Sequence, residues 1–148
     1  MQTVKAFLEA EAFDGPSIII AYSHCIAHGY DLVHGLDQQK LAVQSGHWPM
    51  FRYNPALAEQ GKNPFVLDSK APSIPREKYI YNETRYSMLK HSNPEVAAEL
   101  LKEAQHDVEQ RWKAYENLAK APTNGSAPAA KEAAKPEVAA AGKGAGND

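Results

Sequence analysis

The sequence has few of the features that assign a chain to a broad class at once. It contains no apolar run near the roughly 20 residues that a membrane-spanning helix needs. Its formal net charge is −2, with 16 basic and 18 acidic residues, so no overall basic field indicates a nucleic-acid partner. Its single cysteine cannot form a disulfide within the chain. We therefore expect neither a membrane protein, nor a nucleic-acid binder, nor a disulfide-stabilised secreted domain.

Export signals and familiar catalytic motifs are also missing. Residues 1–6 lack the long apolar region and the cleavage pattern of a signal peptide, so we expect a cytoplasmic location. The sequence has no glycine-rich phosphate loop of either familiar form and no strand-Gly-Asp-Gly segment that would hold a metal diphosphate. The carboxylates do not indicate a catalytic site either. From the residues alone, no catalytic residue is predicted.

What the sequence does contain is an apolar segment, residues 15–25, that leads directly into the only cysteine. The three consecutive isoleucines at 18–20 and the following Tyr22 leave no polar face, which predicts a strand covered on both sides, as in a parallel α/β sheet. In open α/β sheets, ligands and cofactors gather just outside the carboxyl ends of the strands. The pattern therefore places Cys25 at the functional end of a strand.

A short helix is predicted before this strand, with Thr3 as its N-cap and a turn at residues 14–16 as its end. Its apolar residues share one face: Val4, Phe7, Leu8 and Ala12. A helix that leads into an all-apolar strand is the second half of a β-α-β crossover. We therefore expect the preceding strand to be absent from this sequence, and Met1 to lie inside a domain.

The middle of the chain predicts one helix and two short strands. The helix is expected at residues 36–45, and the strands, at 47–53 and 65–68, can pair as an irregular hairpin. Two prolines and two serines predict an irregular connection at residues 69–75. A further helical segment is expected between Tyr79 and Leu89.

The longest predicted helix runs to Lys120. Ser92 has capping-box spacing to Glu95, and Asn93 followed by Pro94 is an equally good start. Its apolar residues recur at helical spacing: Ala97, Leu101, Ala104, Val108, Trp112, Tyr115 and Ala119. Such a stripe predicts packing against the chain's own domain, with a partner helix as the alternative.

The end of the sequence, residues 122–148, is rich in alanine, proline, lysine and glycine. Val138 is its only large aliphatic residue, and it contains no aromatic residue. Such a composition buries too little apolar surface to offset the chain entropy lost on folding. We predict a disordered tail.

Cys25 and the histidines around it form the only cluster of soft metal ligands in the sequence. Cys25 and His28 have a spacing that zinc sites tolerate, and His34 follows. A nucleophilic cysteine would need a base and an orienting group, and the adjacent His24 usually points away from its neighbour's side chain. The residues alone leave three interpretations open: a buried and inert cysteine, a ligand of a metal or cluster, and a nucleophile.

Long strings of this sequence resemble the C-terminal part of pyruvate:ferredoxin (flavodoxin) oxidoreductase. They lie at residues 2–17, 20–29, 42–55 and 60–72, and the resemblance extends over residues 2–121. The family comprises very large multidomain enzymes that oxidatively decarboxylate pyruvate on thiamine diphosphate, make acetyl-CoA, and pass electrons through iron–sulfur clusters to ferredoxin or flavodoxin. The resemblance therefore implies an oxidoreductase.

The resemblance also implies an α/β fold and a domain organisation. Residues 1–75 would be the end of a thiamine-diphosphate-binding-type domain with an incomplete sheet. Residues 76–121 would be a C-terminal helical extension that packs on it, and residues 122–148 lie beyond. The complete enzyme is expected to be a homodimer.

One residue receives a role from the resemblance. In the family, the cysteine of the Ala-Tyr-Ser-x-Cys string is the last ligand of the 4Fe-4S cluster nearest the thiamine, and Cys25 matches it. A 4Fe-4S cluster takes four thiolates, which can come from separate parts of a fold. Since this chain offers one, the cluster would be shared with cysteines upstream, and thiamine diphosphate and Mg²⁺ would be bound only in the complete enzyme.

We therefore expect the isolated chain to have no decarboxylase activity and no stable cluster. Two other hypotheses remain. In the first, the chain is a non-catalytic assembly or binding module that uses the helix at residues 92–120, with Cys25 inert. In the second, Cys25, His28 and His34 form a small zinc site.

Overall fold

The computed structural model of the chain describes residues 1–122. Within them, helices and two short strands follow one another in this order: α1 (Gln2–Ala12), α2 (Gly35–Gln44), β1 (Phe51–Tyr53), α3 (Ala56–Glu59), β2 (Phe65–Leu67), α4 (Glu77–Ile80), α5 (Thr84–Ser92) and α6 (Pro94–Lys120). Two 3₁₀ turns, Ile26–His28 and Leu32–His34, lie between α1 and α2. The predicted tail at residues 122–148 falls, apart from Pro122, outside the described residues.

The two strands form an antiparallel hairpin. Phe51 lies opposite Leu67, and Tyr53 lies opposite Phe65. The backbone N–H of Asp68 donates to the Met50 carbonyl at 2.9 Å, which extends the pairing beyond the strands. The predicted hairpin is therefore confirmed, and the mixture of helices with a small sheet is compatible with part of an α/β fold.

The strand predicted in the apolar segment at residues 15–25 is not present, so this prediction is wrong for the described chain. A strand forms when its backbone groups pair with a neighbour, and the two strands found within residues 1–122 pair with each other. The apolar residues are not covered either: Ile18 is 88% exposed and Ile20 is 77% exposed. The segment has the composition of a buried strand but no neighbour among the described residues.

Helix α1 is confirmed, but its predicted cap is wrong. The helix begins at Gln2, so Thr3 lies inside it, and no side chain caps the first turn. The apolar face that the spacing predicts is exposed: Val4, Phe7, Leu8 and Ala12. Helix α1 is thus amphipathic without a packed apolar side.

The buried core lies where α2 meets α4. Ala42, Tyr79 and Ile80 form it, and partly buried side chains such as Trp48 surround it. Helix α2 ends close to Gly46, which has a φ of 70°. A Cβ on Gly46 would lie 2.7 Å from Val108 Cγ1, so this glycine lets the chain approach α6 closely. The helix predicted at residues 36–45 is confirmed.

Helix α6 packs on the rest of the chain, as its stripe predicts. Asn93 caps it, because its Oδ1 accepts a hydrogen bond from the Val96 N–H at 3.2 Å, whereas Ser92 belongs to α5. Ala97 and Val108 are buried, and the other stripe residues are half-buried. The Tyr115 ring lies 5.2 Å from that of Phe51 on β1 and 5.8 Å from that of Phe65 on β2.

Helix α6 packs its stripe against α5 and β2, while Val96 and Leu100, one turn apart on the same helix, are 39% and 48% exposed. The alternative of a partner helix stays a hypothesis. The outward residues of α6 are exposed and largely charged. Among residues 1–122, no helix is both long enough and apolar enough to cross a membrane.

Candidate functional site around Cys25

Cys25 lies in extended backbone, with φ −146° and ψ 140°, directly before the 3₁₀ turn Ile26–His28. Its thiol is free and exposed, so the interpretation of a buried cysteine is wrong. The exposed Ile20 and Ile26 flank it in sequence. The thiol is therefore accessible to a group outside the described residues.

The histidines near Cys25 do not converge with it on a metal site. His28 Nδ1 lies 3.9 Å from a carboxylate oxygen of Glu83, and the exposed His34 lies 4.0 Å from a carboxylate oxygen of Asp37. His24 packs over Gly35, where an added Cβ would lie 2.8 Å from its Cδ2.

In residues 1–122, no group of three His, Cys, Asp or Glu side chains is arranged to hold a metal ion. The zinc hypothesis for Cys25, His28 and His34 is therefore wrong for this part of the chain, because each histidine faces a different neighbour. The number of available ligands also limits how an iron–sulfur cluster could bind here. A 4Fe-4S cluster takes four thiolates, and the sequence has one cysteine. The chain fits such a cluster as the source of one ligand.

An aromatic cluster anchors the segment just before Cys25. The hydroxyls of Tyr22 and Tyr79 lie 2.5 Å apart in a hydrogen bond. The Tyr22 ring lies 5.2 Å from that of Trp48, and the Tyr22 carbonyl accepts a hydrogen bond from Gln39 Nε2 at 3.2 Å. Tyr22 is thus held from two sides, although residues 18–20 before it are not.

Tyr79 and His47, whose rings lie 4.5 Å apart, both have pKa values shifted in the direction that favours the uncharged side chain. Burial raises the pKa of Tyr79, and the hydrogen bond between Tyr79 and Tyr22 and the negative charge of Glu83 raise it further. Burial and then the positive charge of Arg76 and Arg111 lower the pKa of His47 to about 4. At neutral pH both side chains are uncharged.

A buried carboxylate, Glu83, lies behind the turn that follows Cys25. Its side chain is 0% exposed, and it accepts hydrogen bonds from Gln38 Nε2 at 3.0 Å and from Arg85 Nε at 2.5 Å. Gln38 also donates to the Tyr79 carbonyl at 3.0 Å. Partners of this kind are what a buried carboxylate requires.

The sequence analysis missed Glu83. No local pattern marks it, because α4 ends at Ile80 and Glu83 lies in extended backbone directly before α5, so Glu83 shares no helix face with Tyr79 and Ile80. Both of those residues are buried core. The carboxylate of Glu83 is paired with Gln38, 45 residues away in the sequence, so only the tertiary structure reveals it.

The chain was compared with families and with curated proteins. No protein-family model matches it. It is 59% identical over 118 residues to a pyruvate-flavodoxin oxidoreductase of Nostoc sp., which is 80% of this chain and 10% of that protein. It is 46% identical over 118 residues to a pyruvate:ferredoxin oxidoreductase of Moorella thermoacetica, again 80% of this chain and 10% of that protein.

A mitochondrial pyruvate dehydrogenase [NADP(+)] of Euglena gracilis is also similar, with 40% identity over 130 residues, or 86% of this chain and 7% of that protein. The chain thus spans about a tenth of the length of the curated relatives it matches. The resemblance stated from the sequence strings is confirmed by these identities.

Proposed function

Because the chain is homologous to a segment of the pyruvate-flavodoxin and pyruvate:ferredoxin oxidoreductases, we propose that it works as part of such an enzyme. The complete enzyme oxidatively decarboxylates pyruvate to acetyl-CoA and passes the electrons through iron–sulfur clusters to flavodoxin or ferredoxin. It is cytoplasmic and homodimeric. Residues 1–75 end its thiamine-diphosphate-binding-type domain, and residues 76–121 extend that domain.

Within this enzyme, Cys25 supplies one thiolate of a 4Fe-4S cluster. The observation that carries this proposal is the free, exposed thiol in a segment whose neighbouring apolar residues are also exposed. The cluster supplies electron transfer when it is bound. This chain contributes the deprotonated sulfur and holds the backbone on either side of it, through Tyr22 before Cys25 and through the turn Ile26–His28 after it.

The remainder of the oxidoreductase covers the exposed apolar residues of the first part of the chain. These include Phe7, which is 57% exposed, and Ile18, which is 88% exposed. Burying one large aliphatic or aromatic side chain yields about 1.5–3 kcal/mol. In this proposal residues 18–20 take their place as a strand beside a strand of that remainder, which also brings Cys25 to the other three thiolates.

The isolated chain is inactive in this proposal. Thiamine diphosphate, Mg²⁺ and pyruvate bind elsewhere in the enzyme, because the sequence holds no segment that resembles a diphosphate site. One thiolate does not hold a 4Fe-4S cluster. Iron–sulfur reconstitution of the purified chain, followed by visible absorbance and pyruvate-dependent dye reduction, is expected to give neither cluster nor turnover; four iron ions per chain or measurable turnover would contradict this.

The direct test is Cys25→Ser in the complete oxidoreductase. We expect the variant to lose the iron of one cluster and most of its pyruvate-dependent dye reduction, because a serine oxygen is a poor substitute for the thiolate. Ser23→Ala is the matched control, since Ser23 is exposed and only two residues away. Unchanged iron content and cluster spectrum in Cys25→Ser would refute the ligand role.

A further inference from the structure

The loop that follows Cys25 is fastened to a distant part of the chain. The Cys25 carbonyl accepts a hydrogen bond from the His28 N–H at 3.0 Å, and the Ile26 carbonyl accepts one from the Gly29 N–H at 3.0 Å. These bonds form the tight turn Ile26–His28 directly after the thiol-bearing residue. The position of the thiol therefore depends on what holds Gly29.

Gly29 is held by Thr84, the first residue of α5. The Gly29 carbonyl accepts two hydrogen bonds from Thr84, one from its backbone N–H at 3.2 Å and one from its Oγ1 hydroxyl. The two residues are in close contact, since a Cβ on Gly29 would lie 2.5 Å from Thr84 Cβ. Gly29 has a φ of 73°, which also favours glycine.

Glu83, next to Thr84, makes the second contact with this loop. Its buried carboxylate lies 3.9 Å from His28 Nδ1 and is itself held by Gln38 and Arg85. The His28 ring lies 6.5 Å from that of Tyr22 and stacks with it, so a residue before Cys25 packs against a residue after it.

We propose that Thr84, supported by Glu83, is a positioning residue for Cys25: it fixes the Gly29 carbonyl and thereby holds the thiol-bearing loop in place for the cluster. This inference rests on the proposed ligand role of Cys25. Hydrogen bonds that hold metal-ligating groups in place contribute to metal affinity and redox properties although they do not touch the metal. In the same way, the hydrogen bonds from Thr84 to the Gly29 carbonyl act on Cys25 through the backbone of residues 25–29.

The test compares Thr84→Val with Thr84→Ser in the complete oxidoreductase. Valine keeps the shape of threonine but lacks the hydroxyl, so we expect a chelator to remove iron from this cluster about tenfold faster, with a changed electron paramagnetic resonance spectrum and reduction potential. Serine keeps the hydroxyl and is expected to restore all three readouts. Met88→Ala is the matched control on α5, because Met88 is exposed one turn away.

Gly29→Ala is an independent second variant. Its added methyl group would meet Thr84, so we expect it to displace the loop and to accelerate iron loss in the same way. Wild-type iron release and spectra in Thr84→Val and Gly29→Ala would overturn the positioning role. So would equal effects of Thr84→Val and Thr84→Ser, which would indicate a purely structural side chain.

The two proposals fail in different ways. If Cys25→Ser keeps the cluster, the ligand role itself is refuted, and the positioning role with it. If Cys25→Ser loses the cluster but the Thr84 and Gly29 variants behave as wild type, only the positioning role is refuted.

Discussion

Helices α1 and α6 are both amphipathic, yet only α6 has its apolar stripe covered. On α6, Val108 is 1% exposed, and it packs towards the end of α2 at Gly46. On α1, Phe7 is 57% exposed, and its apolar neighbours on the same face are exposed too. Periodicity thus predicts which face of a helix is apolar, but it does not predict what covers that face.

The same contrast holds for extended segments. Strands β1 and β2 pair with each other, whereas the more apolar segment at residues 18–20 has no neighbour among the described residues. The part of the chain after α2 is therefore packed within itself. The part before Cys25 has apolar surface typical of a packed region, but no neighbouring segment within residues 1–122 covers it. A contact with another polypeptide segment would cover this surface.

Truncating one large side chain in each region is expected to give the largest difference in stability loss between the two regions. Tyr79→Ala is expected to cost about 3–5 kcal/mol, because the residue is fully buried and its loss also leaves the Tyr22 hydroxyl without its partner. Phe7→Ala is expected to cost less than about 0.5 kcal/mol in the isolated chain. Urea unfolding followed by circular dichroism measures both; similar losses for the two variants would break the comparison.

Acid should weaken the packed region first through His47. Its pKa is about 4 in the folded chain, against an ordinary value of 6.5. Between these values the unfolded chain binds the proton and the folded chain does not. Stability is therefore fully present above about pH 6.5 and falls as the pH drops to about 4, by up to about 2 kcal/mol because part of the imidazole is screened by solvent.

His47→Gln is the variant that tests this pH dependence. Glutamine has no titration in that range, so the variant is expected to show a flatter stability profile between these pH values. Asp68 does not affect the slope in this pH range. The hydrogen bond from Arg52 lowers the pKa of Asp68 below the ordinary value of 3.8, so the stability that its charge contributes is lost only at lower pH. Urea unfolding at a series of pH values measures the slope; the same slope in both proteins would contradict the assignment to His47.

A smaller effect than that of Tyr79→Ala is expected for the polar link between the two regions. Arg52 on β1 donates to Asp68 from Nε at 2.7 Å and from Nη2 at 2.8 Å, and from Nη1 to Glu9 on α1. Arg52→Lys is expected to cost about 1–2 kcal/mol, because lysine cannot make the paired hydrogen bonds. Glu9→Gln is expected to cost less than about 1 kcal/mol, since its contact is more exposed.

These Arg52 and Glu9 variants sharpen the comparison through amide exchange. Glu9→Gln should speed exchange in α1 and leave α6 unchanged, because α1 is attached to the hairpin by polar contacts and not by a packed core. Faster exchange in α6 in the same variant would show that the two regions are one cooperative unit.

The sequence predicted the structure well for elements whose packing neighbour lies within the chain. The helix at residues 36–45, the hairpin and the stripe of α6 all rest on local periodicity, and each finds its neighbour nearby. For α6, the sequence left two caps open. The structure selects Asn93, since Ser92 belongs to the last turn of α5.

Local patterns did not predict the structure where the contacting residues are distant in the sequence or lie outside the described residues. Residues 18–20 have strand composition, but a strand also needs an adjacent strand, and residues 1–122 provide none beside it. Glu83 and Thr84 carry no motif. Their contacts with the loop after Cys25 join residues 55 positions apart, so only the tertiary structure brings them together.

The most direct test of the contrast between the two regions is hydrogen exchange at residues 16–25, compared between the isolated chain and the complete oxidoreductase. We predict fast exchange of this segment in the isolated chain and strong protection in the complete enzyme, while the interior of α6 is protected in both. Protection of residues 16–25 already in the isolated chain, or fast exchange in both proteins, would contradict the proposal that another part of the enzyme completes this region.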